Sequence, residues 1–268
     1  MIRSLGRLLA LVLMAALALQ LYFAGRIALM NWVDPQSTTF QRSEIARLLR
    51  AQGQVAWSQQ WVDGPRISDH LRRAVIASED ARFAEHGGVE WEAIEKAWAR
   101  NQAAQERATK KQAEVQARHE RAVAKAVARG REPPPAPKAL VAPPRVKIRG
   151  GSTISQQLAK NLFFSAESNL LRKGQELVVT FMLETLLDKR RILTIYLNNV
   201  EWGEGVFGAQ AAARHYHGVD AKGLSPRQAA RLAVMLPAPR RYERQPNSPY
   251  LNGRSATIAA RMRAVELP

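Results

Sequence analysis

The run LLALVLMAALALQLYFAG, Leu8 to Gly25, limits this chain more than any other stretch, since Gln20 is its only polar residue. A helix of about 18–20 such residues crosses the hydrocarbon core of a bilayer. The run is apolar on every side, unlike the one-sided pattern of a soluble surface helix. It is longer than a usual signal-peptide core, and no clean small-x-small cleavage site follows it. It therefore reads as an uncleaved signal anchor. Arg3 and Arg7 would hold the leading end in the cytoplasm and send the rest across, an asymmetry that Arg26 blunts. Residues 1–33 are expected to be the anchor and 34–268 the domain behind it.

The domain has enough residues for a substantial core. Lys plus Arg number 40 against 23 Asp plus Glu, a net charge of +17. Such a balance selects anionic partners: nucleic acid, an anionic membrane surface or a phosphorylated substrate. Cysteine is absent, which excludes disulfides and thiolate metal sites. His70, His86 and His119 are scattered, and His215 and His217 diverge on a helix, so a histidine metal site is not expected.

Residues 34–68 read as a polar connector with some extended structure. Asp69 is a candidate cap for a helix carrying Leu71, Ala74, Val75 and Ala77, with Gly87-Gly88 ending or turning it. EWEAIEKAWARN reads as a second helix. From 101 to about 146 the composition shifts to alanine and charge, and then to six prolines between Pro133 and Pro144. Arg100 to Arg149 holds 13 basic and 4 acidic residues, an excess of +9. With almost no large apolar side chains, this segment reads as an exposed insertion, a solvated helix followed by a polyproline II or disordered linker. Helical periods return over 153–164, 170–188, 190–198, 206–217 and 225–236, without convincing strands after residue 65. The expected fold class is mainly α.

Three stretches carry chemistry. SEDARFAEHGG, Ser78 to Gly88, sets Glu79, Asp80 and Glu85 at the end of a buried-looking helix. Either they are a solvated helix end, or one of them does chemistry. RGGSTISQQ, Arg149 to Gln157, joins a glycine pair to Thr153-x-x-Gln156, the spacing of a capping box at a helix start. Backbone amides and a positive dipole end there suit phosphate or pyrophosphate, with Lys147 and Arg149 as flanking fixed charge. It is not a P-loop, because the lysine after the second glycine group is missing. Arg172, Lys173 and Glu176 share one side of a third helix, as a surface ion pair or as the lining of a cleft.

Taken together and in this order, these stretches resemble the peptidoglycan glycosyltransferases, family 51 of the glycosyltransferases. Glu79, Asp80, Phe83, His86 and Gly88 match the family's first motif, and Arg149 to Gln157 its second without exception. Arg172, Lys173, Glu176, Leu183 and Glu184 match the third, and RRILTIYLNNVEWGEGVFGAQAAARHYHG continues the likeness. Two positions depart from it: Thr194 stands where the family commonly has glutamate, and His217 where it has an aromatic residue.

The resemblance implies a lysozyme-like two-lobed domain behind a single N-terminal transmembrane helix, in the bacterial inner membrane with the catalytic domain in the periplasm. It implies polymerisation of lipid II, with lipid-linked glycan as donor and undecaprenyl diphosphate released. Glu79 is then the general base. Glu176 is a second essential carboxylate that orients cations, helps hold a divalent ion or protects the donor geometry. Asp80, Lys147, Arg149, Gly150, Gly151, Ser152, Thr153, Gln156, Arg172 and Lys173 are expected to bind or position substrate. No tightly bound cofactor or protein metal site is expected; Mg²⁺ or Mn²⁺ could accompany the substrate pyrophosphate. The membrane and other cell-wall synthesis proteins are the expected partners, and nucleic acid is not. Asp80 can also support the local backbone. Phe83 reads as packing, Glu85 as solvated, and His86 as an internal hydrogen-bonding partner. A scaffold that binds anionic polymer through the basic insertion, and a lysozyme-like glycan-cleaving enzyme, are the alternative classes.

Overall fold

A computed structural model of the chain describes residues 2–137, 140, 151–165 and 169–268. It forms two compact units, one of residues 1–89 with 152–268 and one of residues 90–151.

In the larger unit α1 (Ile2–Leu29) contains the apolar run. Its first two-thirds leaves Leu8, Leu11, Leu13 and Leu17 exposed, as a membrane-spanning surface would be. Its last turns are docked. Phe23 and Ile27 are buried, and Phe23 meets the Phe163 ring edge-on at 5.1 Å. Gln20 is explained here: its amide and that of Gln175 exchange two hydrogen bonds of 3.0 and 2.9 Å. Asn31 donates to the Leu186 carbonyl at 3.0 Å, and Arg191 pairs with Asp34 at 2.7 Å. The apolar helix is thus fixed to the domain by polar contacts at its base.

Caps set the other elements. Thr38, Thr153 and Ser225 form full capping boxes with Gln41, Gln156 and Gln228. They open α2 (Thr39–Gln52), α5 (Ile154–Phe163) and α9 (Pro226–Met235). Asn169 and Asp188 cap α6 (Leu170–Leu186) and α7 (Lys189–Asn199). The remaining helices of this unit are α3 (Asp69–Glu79), α8 (Ala209–His217), α10 (Pro239–Arg244) and α11 (Pro249–Arg261). The cap of α3 is Ser68 and not Asp69, and the helix ends at Glu79, well before Gly87-Gly88.

The core sits where α3, α9 and α11 pack on one another. Leu71, Ala74 and Val75 of α3, Leu251 and Ile258 of α11, and Ala229, Ala230, Leu232 and Ala233 of α9 are all buried. The alanines keep α9 slim enough for close approach on two sides. Trp202 is fully buried, and its indole N–H donates to the Leu232 carbonyl at 3.0 Å.

The expectation of no strands after residue 65 is corrected. A small sheet of order β1-β3-β2 joins β1 (Ser58–Gln59), β2 (Glu201–Gly203) and β3 (Val206–Phe207). Ser58 pairs with Val206 in parallel, and β2 runs antiparallel to β3. Residues 206–208 therefore belong to a strand and turn, and the helix begins at Ala209. Both β2 and β3 are buried throughout and two or three residues long, so they show no alternation to read. Gly205 turns between them at φ +75°, and its carbonyl accepts from Ser58 N at 2.8 Å.

The smaller unit is dominated by α4 (Trp91–Val127), one continuous helix. At 1.5 Å per residue it is about 55 Å long. The compositional break after Arg100 is therefore not a structural one: the helix read from EWEAIEKAWARN and the alanine-rich insertion are the same rod. Residues 131–137 carry no regular structure, in keeping with their prolines.

A side chain at Gly205 would place Cβ 2.0 Å from the Ala56 carbonyl oxygen, at a φ that costs an L-residue about 1–2 kcal/mol before any clash. Gly205→Ala is expected to lower thermal stability by several degrees in detergent-solubilised protein. An unchanged melting temperature would show that this turn is not constrained as described.

Candidate active site

The site grows from the end of α3. Three turns of largely buried helix deliver Glu79 to its last position, and Asp80 caps it with φ −160° and ψ 75°. Asp80 is buried and both its oxygens are used inside the protein. Its Oδ2 accepts from the backbone N–H of Ile154 at 3.0 Å, in the first turn of α5. Its Oδ1 lies 2.8 Å from His86 Nε2. The Gly88 N–H donates to His86 Nδ1 at 3.1 Å, so the ring proton sits on Nε2 and is donated to Asp80. His86 is an internal partner, as expected. The support of the backbone expected of Asp80 is present in these two contacts.

The loop closes on α6. Gly88 has φ +92°, and a Cβ there would lie 2.8 Å from Thr180 Cγ2 and 2.9 Å from Glu184 Cγ. Its carbonyl accepts from Thr153 Oγ1 at 2.6 Å. Glu184 accepts from Ser155 and from Lys189, whose Nζ also donates to the His86 carbonyl at 2.6 Å. The same ammonium lies 4.5 Å from the centre of the fully buried Phe83 ring. Sequence reasoning did not single out Lys189; the signal was a lysine just after the Leu-Glu of the third motif.

Glu79 itself stays partly open. Its Oε2 accepts from Gln157 Nε2 at 3.0 Å, and Gln157 Oε1 accepts from the Tyr196 hydroxyl at 2.9 Å. Tyr196 is fully buried on α7; an ionised Glu79 can only accept, so the Gln157 amide turns its N–H to Glu79 and its oxygen to that hydroxyl. Burial pushes the Glu79 carboxyl above its ordinary value of 4.5, and the nearby Asp80 charge adds to this. Gln157, Ser78 and Arg254 oppose that shift without cancelling it. Burial, then the Glu79 and Asp80 charges, pushes the Tyr196 phenol far up, which keeps it a neutral donor. Gln157 was visible only as the last residue of the second motif, and Tyr196 and Arg254 were missed. Neither has a local pattern: each acts on Glu79 from another helix, Tyr196 through Gln157 and Arg254 through its charge.

Glu176 lies in the opposite environment. It is buried on α6 with Arg172 Nη1 on Oε1 and Lys173 Nζ on Oε2 at 3.1 Å. The Arg172 side chain is largely buried, whereas that of Lys173 is 59% exposed. Within the trio one cation is locked in place and one faces solvent. Thr153 Oγ1 serves the capping box and Gly88, and Gln156 Oε1 closes the box on the Thr153 N–H at 3.1 Å. Ser152 is exposed. Gly151 belongs to the smaller unit, where a Cβ would meet the Ala93 carbonyl oxygen at 3.0 Å. Lys147, Arg149 and Gly150 lie outside the described residues. Thr194 takes no part in this site; its hydroxyl donates to the Arg190 carbonyl of its own helix at 2.8 Å.

The chain was also compared with known proteins. The family model described as Transglycosylase matches residues 45–111 and 138–263. The interruption between them falls within the basic insertion. A biosynthetic peptidoglycan transglycosylase of Bordetella pertussis is 46% identical over 266 residues, covering 98% of this chain and 95% of that protein. Proteins of the same name from Paraburkholderia phytofirmans and Burkholderia thailandensis are 44% and 46% identical, covering 97% and 95% of this chain and 91% and 84% of their own. With the motif residues assembled as described and the likeness running nearly end to end, the chain belongs to the transglycosylase family.

Proposed function

We propose that this peptidoglycan glycosyltransferase polymerises lipid II by a single inverting displacement with Glu79 as general base. The observation that carries the reading is the setting of Glu79: a carboxylate of raised basicity, held by an oriented amide, on a residue that is only partly buried. The 4-hydroxyl of the acceptor sugar is a poor nucleophile at neutral pH. A base with a pKa closer to neutrality removes its proton more effectively than an ordinary glutamate. In the step, the acceptor oxygen bonds to the donor's anomeric carbon and its proton passes to Glu79. The anomeric C–O bond to pyrophosphate breaks with its electron pair, and undecaprenyl diphosphate leaves. Attack opposite an α-linked leaving group yields a β-1,4 bond.

The leaving pyrophosphate gathers negative charge and needs cations held before the reaction begins. Lys173 is suited to this, since Glu176 steadies it from one side while most of its side chain faces solvent. Arg172 is locked on Glu176 and makes the pair rigid. Lys147, Arg149 and the turn from Gly150 to Thr153 are proposed as further anion contacts. Thr153 and Gln156 shape that turn through their capping box. A Mg²⁺ or Mn²⁺ would travel with the pyrophosphate. Both Glu176 oxygens already accept from cations, which does not suit this residue as a metal ligand.

The substrate is a membrane lipid, so the membrane belongs to the proposal. We read α1 as a single-pass inner-membrane anchor with the catalytic unit in the periplasm. Its docked base fixes the height of α6, which keeps Leu171, Val178 and Phe181 exposed. Enzyme and lipid then meet in one plane, which lowers the entropic cost of encounter.

Glu79→Gln keeps the shape and removes the charge. Polymerisation of labelled lipid II should fall to background. Because the folded-state pKa is raised, ionised Glu79 costs stability, and that cost grows as pH rises through the raised value. The variant should therefore melt no lower than wild type at pH 7–8; near-wild-type polymerisation would reject Glu79 as the base. Lys173→Ala should weaken a pyrophosphate-bearing donor about tenfold with little change in melting temperature. A large loss of stability with unchanged donor affinity would assign Lys173 a structural role instead.

A further inference from the structure

A second concavity lies at the other end of α3. His70 and Glu79 are nine residues apart on that helix, about 13 Å along its axis. Around His70 the start of α3, the end of α8, α9 and α11 border an open cavity of about 890 Å³, with Arg227 and Arg263 exposed at its edge. That is the size of a small-molecule site. Its ionisable lining is Arg227, Arg231, Arg263, His70 and His217, with no aspartate or glutamate among the lining residues.

A chain of net charge +17 scatters arginines over its whole surface, so arginines alone signify little. Three further observations separate this cavity from a basic surface. Arg227 and Arg263 have no ion pair among the described residues, although most acidic groups of the larger unit elsewhere are taken up in pairs. Arg231 is held in place by neutral acceptors, the Asn252 side-chain oxygen at 3.1 Å and the Pro246 carbonyl, so its charge is oriented but not neutralised. His217 Nε2 is buried and has no hydrogen-bond partner among the described residues. Burial, and then Arg231, hold that ring below its ordinary pKa. Like charges that converge on low-dielectric walls repel one another and focus a positive potential into the space between them. Guanidinium groups match carboxylate and phosphate oxygens in geometry. Pro226, Ala256, Ala259 and Met262 add an apolar floor, which suits an organic anion better than a bare ion.

We propose that this cavity binds a small organic anion, a carboxylate or a phosphate ester, at a site separate from the glycosyl-transfer centre. Arg227, Arg231 and Arg263 take its oxygens, and the His217 ring forms part of the wall beside them.

The test uses the full chain in detergent, labelled with ¹⁵N-histidine, at pH 7 and constant ionic strength. His217→Phe assigns the ring signal. Citrate and glycerol 2-phosphate are titrated separately, and whichever binds tighter identifies the head group. At least one should move the His217 ring nitrogens saturably. The doubly substituted Arg227→Gln, Arg263→Gln protein should bind it at least tenfold more weakly while polymerising lipid II within twofold of wild type. Failure of both probes to move His217, or equal affinity in the double variant, would overturn the proposal. Loss of polymerisation in that variant would overturn the separateness of the site. None of these outcomes depends on Glu79 being the base.

Discussion

The carboxylate of Asp80 is the joint on which the rest of the site depends. One oxygen takes a backbone N–H from the first turn of α5, and the other takes the His86 ring. A buried carboxylate is costly unless its oxygens are satisfied, and the offset here is a charge at the amino end of a helix plus a charge-assisted hydrogen bond. The consequence is positional. With Asp80 tied to α5, its neighbour Glu79 must face the same helix one turn on, where Gln157 meets it. With His86 tied to Asp80, the loop must turn at Gly88 against Thr180 and Glu184. Two hydrogen bonds on one side chain thus bring α3, α5 and α6 to a common point.

From that joint the two functional carboxylates diverge in character. Glu79 is desolvated, with an amide and a distant guanidinium as its support, and is pushed toward basicity. Glu176 has two cations within bonding reach. Environments that differ this much assign the two glutamates different work: one suits proton abstraction, the other holds positive charge in place. Tyr196 contributes through Gln157: its buried hydroxyl donates to the oxygen of the amide whose N–H meets Glu79.

Much of this was legible in the residues, for identifiable reasons. Capping boxes at Thr153 and the periods of α5, α6, α7 and α9 are local signals and located those helices to within a few residues. The acids after Ser78 were visible as an anomaly at a buried helix end. Tyr196, Arg254 and Lys189 were not, because their roles come from contacts across the fold. The short strands at 201–207 were hidden by being buried on both faces. The insertion read as a change in composition, but alanine, lysine and glutamate are as good in a helix as the residues before them, so α4 runs through the break. Gln20 looked like a flaw in the apolar run until Gln175 supplied its partner.

The account rests on Glu79 being a base made stronger by its surroundings. The direct measurement is a ¹³C NMR titration of the Glu79 carboxyl in detergent-solubilised protein, assigned by its disappearance in the glutamine variant. The account predicts a midpoint above the ordinary glutamate value of 4.5, and a further rise as the ionised form loses support when Gln157 is replaced by alanine. A midpoint at or below that value would contradict it.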